Sequence, residues 1–214
     1  MIVHVMRRAQ QSGIGPVYVA CDDARIEDAV RVAGGRAVRT RPDHPSGSDR
    51  IYEALLAIDP KGQYDVVVNV QGDVPTVEPQ TIRAVLGPLV DPAVDIATLA
   101  CLIHNPKERS DTSVVKPVLH FISKTSAHAT DFTRAPKAAP SDPLYHHIGI
   151  YAYRRAALAR FVSLSPSPRE LAEKLEQLRA LDNGMRVDAA IVEAVPLGVD
   201  TPEHLEFARK LLAK

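Results

Sequence analysis

The run Val66-Val67-Val68-Asn69-Val70-Gln71-Gly72-Asp73-Val74-Pro75 constrains the fold most. Nearly continuous β-branched residues predict a central strand, buried on both faces, that stops at a carboxylate. In open α/β sheets ligands bind at the carboxyl edge, and an oxygen donor there, Asp73, suits a hard cation such as Mg²⁺ holding a phosphate. On this segment alone, Gly72-Asp73 serves equally well as a plain turn into the next loop.

The flanking pattern supports a parallel sheet. Ile2, Val5, Met6 and Ala9 share one helical face closed by Ser12-Gly13, and a short strand follows around Val17 to Ala20. A helix over 26–32, a turn at Gly34-Gly35 and a strand over 37–40 come next. Helices over 48–58 and 79–89 bracket the opening strand, and an apolar strand covers 95–103. Alternation at this spacing implies parallel strands joined by crossover helices. From 114 the rhythm changes to strand-like runs at 114–121 and 148–153, separated by a Pro-, Ser- and Ala-rich loop over 135–143. The pattern then gives helices over 156–161 and 168–181, a strand over 187–195 and a last helix from Pro202. The expected class is α/β, with a doubly wound, mixed but mainly parallel three-layer sheet. The expected organisation is one domain over 1–214 with an inserted β lobe at about 112–155.

Lys+Arg and Asp+Glu are equal at 26 each, so no global field favours nucleic acid or an anionic membrane, and any polyanion needs a local site. Cys21 and Cys101 belong to no paired spacing and read as reduced structural thiols. No apolar run approaches membrane-spanning length, and the N-terminus lacks the basic start and cleavage site of a signal peptide. A cytoplasmic protein without membrane insertion is the expectation. A Walker-type loop and a Gly-x-Gly-x-x-Gly run are both absent.

Four further segments can carry chemistry. In Gly198-Val199-Asp200-Thr201-Pro202-Glu203, Thr201 as N-cap would leave Asp200 free to share a cation with Asp73, while Asp200 as the cap fits the local pattern about as well. Ser46 and Asp49 have capping-box spacing around Gly47, with Arg50 one turn in. That is either a well-capped helix or a set of exposed amides and a guanidinium that read a base or phosphate. In Tyr145 to Arg154, alternation puts His147, Gly149, Tyr151 and Tyr153 on one strand face, able to contact a sugar or to line a core edge. Adjacent His146 and His147 point apart, which disfavours zinc. Ser167-Pro168-Arg169-Glu170 starts a helix whose Leu171, Leu175 and Leu178 form a buried stripe, with Glu173, Glu176 and Gln177 on the polar side.

Taken in order, Ser46-Gly47-Ser48-Asp49-Arg50, Val68-Asn69-Val70-Gln71-Gly72-Asp73, His147-Ile148-Gly149-Ile150-Tyr151, Leu175-Glu176-Gln177-Leu178-Arg179 and Gly198-Val199-Asp200-Thr201-Pro202 closely resemble the 3-deoxy-manno-octulosonate cytidylyltransferases, or CMP-Kdo synthetases. The resemblance covers nearly all of the chain. It implies a nucleotidyltransferase fold, a homodimer, and attack of the sugar acid's anomeric hydroxyl on the α-phosphorus of CTP, giving CMP-Kdo for lipopolysaccharide assembly and pyrophosphate. It implies that Asp73 and Asp200 are catalytic and hold Mg²⁺, and that Ser46, Gly47 and Arg50 face the nucleotide. Gln71, Arg134, His147, Tyr151, Glu176 and Gln177 would line the Kdo pocket.

Two departures accompany the resemblance. The family's N-terminal strand and its Leu-Pro-Gly-Lys-Pro-type loop have no counterpart in this sequence. Loss of such phosphate clamps costs on the order of 10³-fold in phosphoryl transfer, so the chain as given is expected to be nearly inactive. Ala127 to Arg134 replaces a more aromatic family strand, which bears on the role of Arg134. A non-catalytic dimerisation module and CMP activation of another 2-keto sugar acid are the competing readings. A haloacid-type phosphatase is disfavoured because Asp73 has no second Asp two residues on.

Overall fold

The computed structural model describes residues 1–136, 138–139 and 141–213. Lys137 and Pro140, both in the loop expected over 135–143, and Lys214 lie outside the described residues. The class is α/β, as expected. Contacts divide the chain into two units: 1–65, 69–83 and 196–214 form the first, and 66–68 with 84–195 the second.

The first unit opens with α1 (Ile2–Ser12), which buries Val5 and Met6 and ends at Gly13 in the left-handed region, φ 67°. Strands β1 (Val19–Cys21) and β2 (Ala37–Arg39) pair in parallel, joined by α2 (Ala24–Val32). Asp23 caps α2 by accepting from the Arg25 amide. Met6, Val19, Cys21 and Val30 form the core here, with Ile2, Val3 and Ile26 packed around them. Gly35 is required for that packing, because a Cβ built on it would lie 2.1 Å from Met6 Sδ and 2.9 Å from a Val30 methyl. α3 (Gly47–Ile58), α4 (Pro79–Ala84) and the last helix, α9 (Pro202–Leu212), belong to the same unit. The single helix expected over 79–89 is instead α4 followed by a 3₁₀ turn at Gly87–Val90, since Gly87-Pro88 cannot continue an α-helix.

The second unit is built on a six-stranded sheet in the order β3-β7-β4-β8-β6-β5. Its strands are β3 (Val66–Asn69), β4 (Ile96–Leu102), β5 (Lys116–Phe121), β6 (Ser126–Thr133), β7 (Tyr145–Arg154) and β8 (Val187–Val192). β4 and β8 run parallel, while β4–β7, β6–β8 and β5–β6 are antiparallel. The segment expected as an inserted lobe therefore contributes three strands to this sheet. β3 corrects an expectation: it ends the strand order and its valines are half-buried, so its β-branched run marks an outer strand, not a central one. β4 occupies the interior instead, with Ile96, Ala97, Thr98, Leu99, Ala100 and Cys101 all buried.

α5 (Pro106–Ser110), α6 (Arg155–Ser163), α7 (Pro168–Glu173) and α8 (Leu178–Asp182) complete this unit. α7 has the expected start, a full capping box between Ser167 and Glu170. It then departs from expectation, because Lys174 takes φ 55° and breaks the predicted helix over 168–181 into two. Leu171 is consequently 66% exposed while Leu175 and Leu178 are buried, so the predicted stripe holds only in its second half. A buried Arg179–Glu170 pair, bidentate at 2.6 and 2.9 Å, ties α8 to α7.

Candidate functional site

The sequence-predicted residues fall into two groups, one in each unit. In the first unit, the turn after β3 carries Gln71 and Asp73, and the segment before α9 carries Asp200. A backbone bond from Val199 N–H to Asp73 O, 2.9 Å, joins the two segments. Thr201 caps α9 by accepting from the His204 amide at 3.2 Å, which leaves the Asp200 carboxylate outside the cap and resolves the alternatives left open by the sequence. Asp73 is half-buried and Asp200 exposed. Burial, and then the charge of Asp200, push the Asp73 carboxyl above its ordinary range, although its own backbone amide opposes the shift. Two like charges held this way favour a cation between them.

Ser46 caps α3: its hydroxyl accepts from the Asp49 amide at 3.2 Å and donates to the Asp49 carboxylate at 2.6 Å. A Cβ on Gly47 would meet Asn69 Nδ2 at 3.8 Å and Gln71 Nε2 at 4.0 Å. Two side-chain amides thus stand beside the opening turn of a twelve-residue helix, whose free N–H groups and dipole suit an anion. Gln71 therefore keeps company with Ser46 and Gly47, the residues expected to face the nucleotide. Arg50 reaches back to the ends of two strands, pairing with Asp22 at 2.8 Å and donating to Thr40 Oγ1 at 2.8 Å and Arg41 O at 3.1 Å. It is anchored by the protein, which fixes the helix start against β1 and β2.

The second unit gathers a neutral group. His147 is buried, and burial, aided by the positive charge of His146, lowers its pKa to about 3. Its ring lies edge-on to Phe132 at 4.9 Å and 5.6 Å from Tyr151. Tyr151 donates to Gln177 Oε1 at 3.5 Å, and burial, Tyr153 and Glu176 keep its phenol protonated well above the ordinary range. Gln177 Nε2 is buried without a hydrogen-bond partner among the described residues. An amide N–H in that position is costly unless something fills it. The break at Lys174 makes this arrangement possible by turning Gln177 toward Tyr151 while Glu173 O accepts from Arg134 Nε at 3.3 Å.

Arg134 Nη1 also donates to Thr112 O at 3.1 Å and Ser113 O at 3.4 Å. Beside it, Lys116 is 1% exposed and donates to the carbonyls of Asp111 and Arg134. The ammonium and guanidinium are held by carbonyls, without a carboxylate in ion-pair range among the described residues, so Arg134 keeps donor capacity for an anion. Sequence reasoning missed Asn69, Thr98, Lys116 and Phe132. Thr98 left one signal, a hydroxyl inside an apolar strand.

Elsewhere, Cys21 and Cys101 are buried free thiols whose pKa burial raises. Among the described residues there is no group of three or more His, Cys, Asp or Glu that could hold a metal, so protein atoms offer a cation two carboxylates at most near Asp73. Among the same residues, no helix is long and apolar enough to cross a membrane.

The family model for cytidylyltransferases matches residues 1–187. A 3-deoxy-manno-octulosonate cytidylyltransferase from Bradyrhizobium sp. is 62% identical over 214 residues, spanning 100% of this chain and 87% of that relative. The same-named protein of Azorhizobium caulinodans is 62% identical over 213 residues, covering 100% of this chain and 85% of its own length. Among solved structures, a CMP:2-keto-3-deoxy-manno-octonic acid synthetase complexed with CTP superposes with TM-score 0.88 at 40% identity, covering 99% of this chain and 87% of that one. A UDP-glucose pyrophosphorylase complexed with UDP-glucose matches with TM-score 0.64 at 12% identity, covering 99% and 86%, a likeness of fold alone.

Proposed function

The chain belongs to the cytidylyltransferase family, among the 3-deoxy-manno-octulosonate cytidylyltransferases, and we infer that it transfers the cytidylyl group of CTP to the anomeric hydroxyl of 3-deoxy-D-manno-octulosonate. The products are CMP-Kdo and pyrophosphate. The observation that carries the reading is the junction of two strand-following segments at Val199–Asp73, which sets a half-buried carboxylate beside a second one.

Asp73 and Asp200 would hold Mg²⁺, a cation that takes one or two carboxylates and completes its shell with phosphate oxygens. When bound, the cation neutralises phosphate charge and lowers the pKa of the attacking hydroxyl. The residues fit that role, since Asp73 and Asp200 supply two carboxylates on segments that the Val199 N–H to Asp73 O bond joins. The start of α3, with Ser46, Gly47 and the Asn69 and Gln71 amides, offers N–H donors to the nucleotide, and Arg50 fixes that helix in place. His147, Tyr151, Glu176 and Gln177 offer the neutral and acceptor-rich partners a polyhydroxylated acid needs, and Arg134 offers a cation for its carboxylate. The orphaned Gln177 amide supports this assignment.

A homodimer is part of the same reading. It rests on the family and on the exposed Val118, Phe121 and Ile122 of the β5–β6 hairpin, an apolar edge suited to a second copy. The chain is read as a cytoplasmic enzyme. Pyrophosphate release that requires CTP, Kdo and Mg²⁺ together is the expected result, at a rate on the order of 10³-fold below that of a family member carrying the Leu-Pro-Gly-Lys-Pro-type loop. Release with a sialic acid but not with Kdo would move the assignment to another 2-keto sugar acid. Calorimetry with CTP and Mg²⁺ separates a binding-competent chain from a non-catalytic module, which would bind neither.

A further inference from the structure

β4 and β7 fall out of register at one place. Ala97 faces Ala152 and Leu99 faces Ile148, so Thr98 alone stands opposite Gly149, Ile150 and Tyr151. A bulge of this kind strips carbonyls of their ladder partners and re-aims side chains. Thr98 is fully buried, and its hydroxyl lies 3.2 Å from Ile148 O, 3.0 Å from Ile150 O and 3.0 Å from His147 Nε2.

A hydroxyl has one proton. Carbonyl oxygens only accept, so giving that proton to His147 Nε2 would leave both carbonyls facing oxygen lone pairs at hydrogen-bond distance. Giving it to a carbonyl requires Nε2 to carry the imidazole hydrogen and donate to the threonine oxygen. The second arrangement satisfies more of these buried groups. His147 Nδ1 then bears a lone pair and has no partner among the described residues. The ring is held by its Nε2 contact with Thr98 Oγ1 and by Phe132 and Tyr151, which flank it at 4.9 and 5.6 Å.

We infer that Thr98 is a positioning residue that holds His147 as the Nε2–H tautomer, so that Nδ1 accepts a hydrogen bond from a hydroxyl of the 2-keto sugar acid. The inference rests on the assignment of His147 to the sugar-acid side of the proposed reaction. It adds a residue and a direction: the imidazole accepts from the substrate, so the matching substrate group is a hydroxyl and not a carbonyl. Low basicity supports the role, since a neutral ring keeps that lone pair open.

The test is ¹⁵N NMR of the imidazole-labelled chain together with Kdo and CTP binding measured by calorimetry. The unchanged protein and Thr98→Ser should show a protonated Nε2 and an unprotonated Nδ1. Thr98→Val should show a mixed or reversed tautomer and bind Kdo about tenfold more weakly, the loss expected for one neutral hydrogen bond, with CTP affinity unchanged. Thr98→Ser should stay within about twofold of the parent, since it keeps the hydroxyl. An Nδ1–H spectrum in the unchanged protein overturns the inference, whether or not Thr98→Val folds. So does Kdo binding that His147→Ala weakens and Thr98→Val leaves alone. Kdo binding untouched by both variants overturns the sugar-acid assignment of His147 on which the inference depends.

Discussion

The Asp73–Asp200 region and the His147–Tyr151–Gln177 region, assigned in the proposed reaction to the cation and to the sugar acid, present polar groups by opposite means. The first is charged, borne on segments that follow strands, half-buried to exposed, and joined by the Val199–Asp73 backbone bond. The second is neutral, built largely on a strand inside a six-stranded sheet, and desolvated enough to hold His147 at a pKa of about 3. Charge carries the first group, so removing a carboxylate should damage chemistry more than folding. Burial carries the second, so its groups should report on stability and pH as well as on binding.

The sharpest challenge to this contrast is Asp73→Asn. Turnover should fall on the order of 10³-fold through lost charge stabilisation, while the melting temperature holds or rises. The sign follows from a folded-state pKa raised above its unfolded value. The ionised carboxylate then costs stability at neutral pH, and that cost is relieved as pH falls through the folded pKa. A large drop in melting temperature would show that the charged region is structural after all.

His147 provides the reverse case. Its folded pKa is depressed, so its contribution is present above about pH 6.5 and is lost as pH falls toward about 3. Urea unfolding at pH 7.5 and pH 5 should differ by about 2 kcal/mol more in the parent than in His147→Gln. Equal pH slopes would mean the ring is not desolvated. Gln177→Leu should weaken Kdo binding about tenfold in calorimetry and cost about 1 kcal/mol of stability, because along with an amide nitrogen that has no partner among the described residues it removes the acceptor of the buried Tyr151 hydroxyl. Ser46→Ala should cost about 1 kcal/mol in denaturant unfolding through loss of the α3 cap, with weaker CTP binding alongside. Loss of CTP affinity without loss of stability would place Ser46 on the ligand and not on the helix.

Local signals made one region more legible than the other. Thr201, Ser46 and Ser167 were readable as caps because each satisfies helix N–H groups within three residues. Asp73 and Asp200 were readable as strand-following carboxylates, and the Val199–Asp73 bond joins their segments. The second region depends on features without local signatures. Lys174 adopts a left-handed conformation that its residue type does not announce, and it splits an otherwise regular helical pattern. The β4–β7 register shift arises from pairing between distant segments, so nothing in Ile96 to Leu102 alone marks Thr98 as opposite three residues. β3 looked central because its composition records apolar surroundings and not its rank in the strand order.

Gly35 and Met6 carry a consequence for how this chain can diverge. A methyl group at position 35 needs the space that Met6 Sδ fills, 2.1 Å away, so the two positions share one volume. Drift at position 35 is therefore conditional on its neighbours: Gly35→Ala alone should be purged, yet should persist in a lineage that has already shortened residue 6 and in which Val30, whose methyl would lie 2.9 Å away, has given way. Among descendants of this sequence, a side chain at position 35 should appear only where residue 6 has already changed.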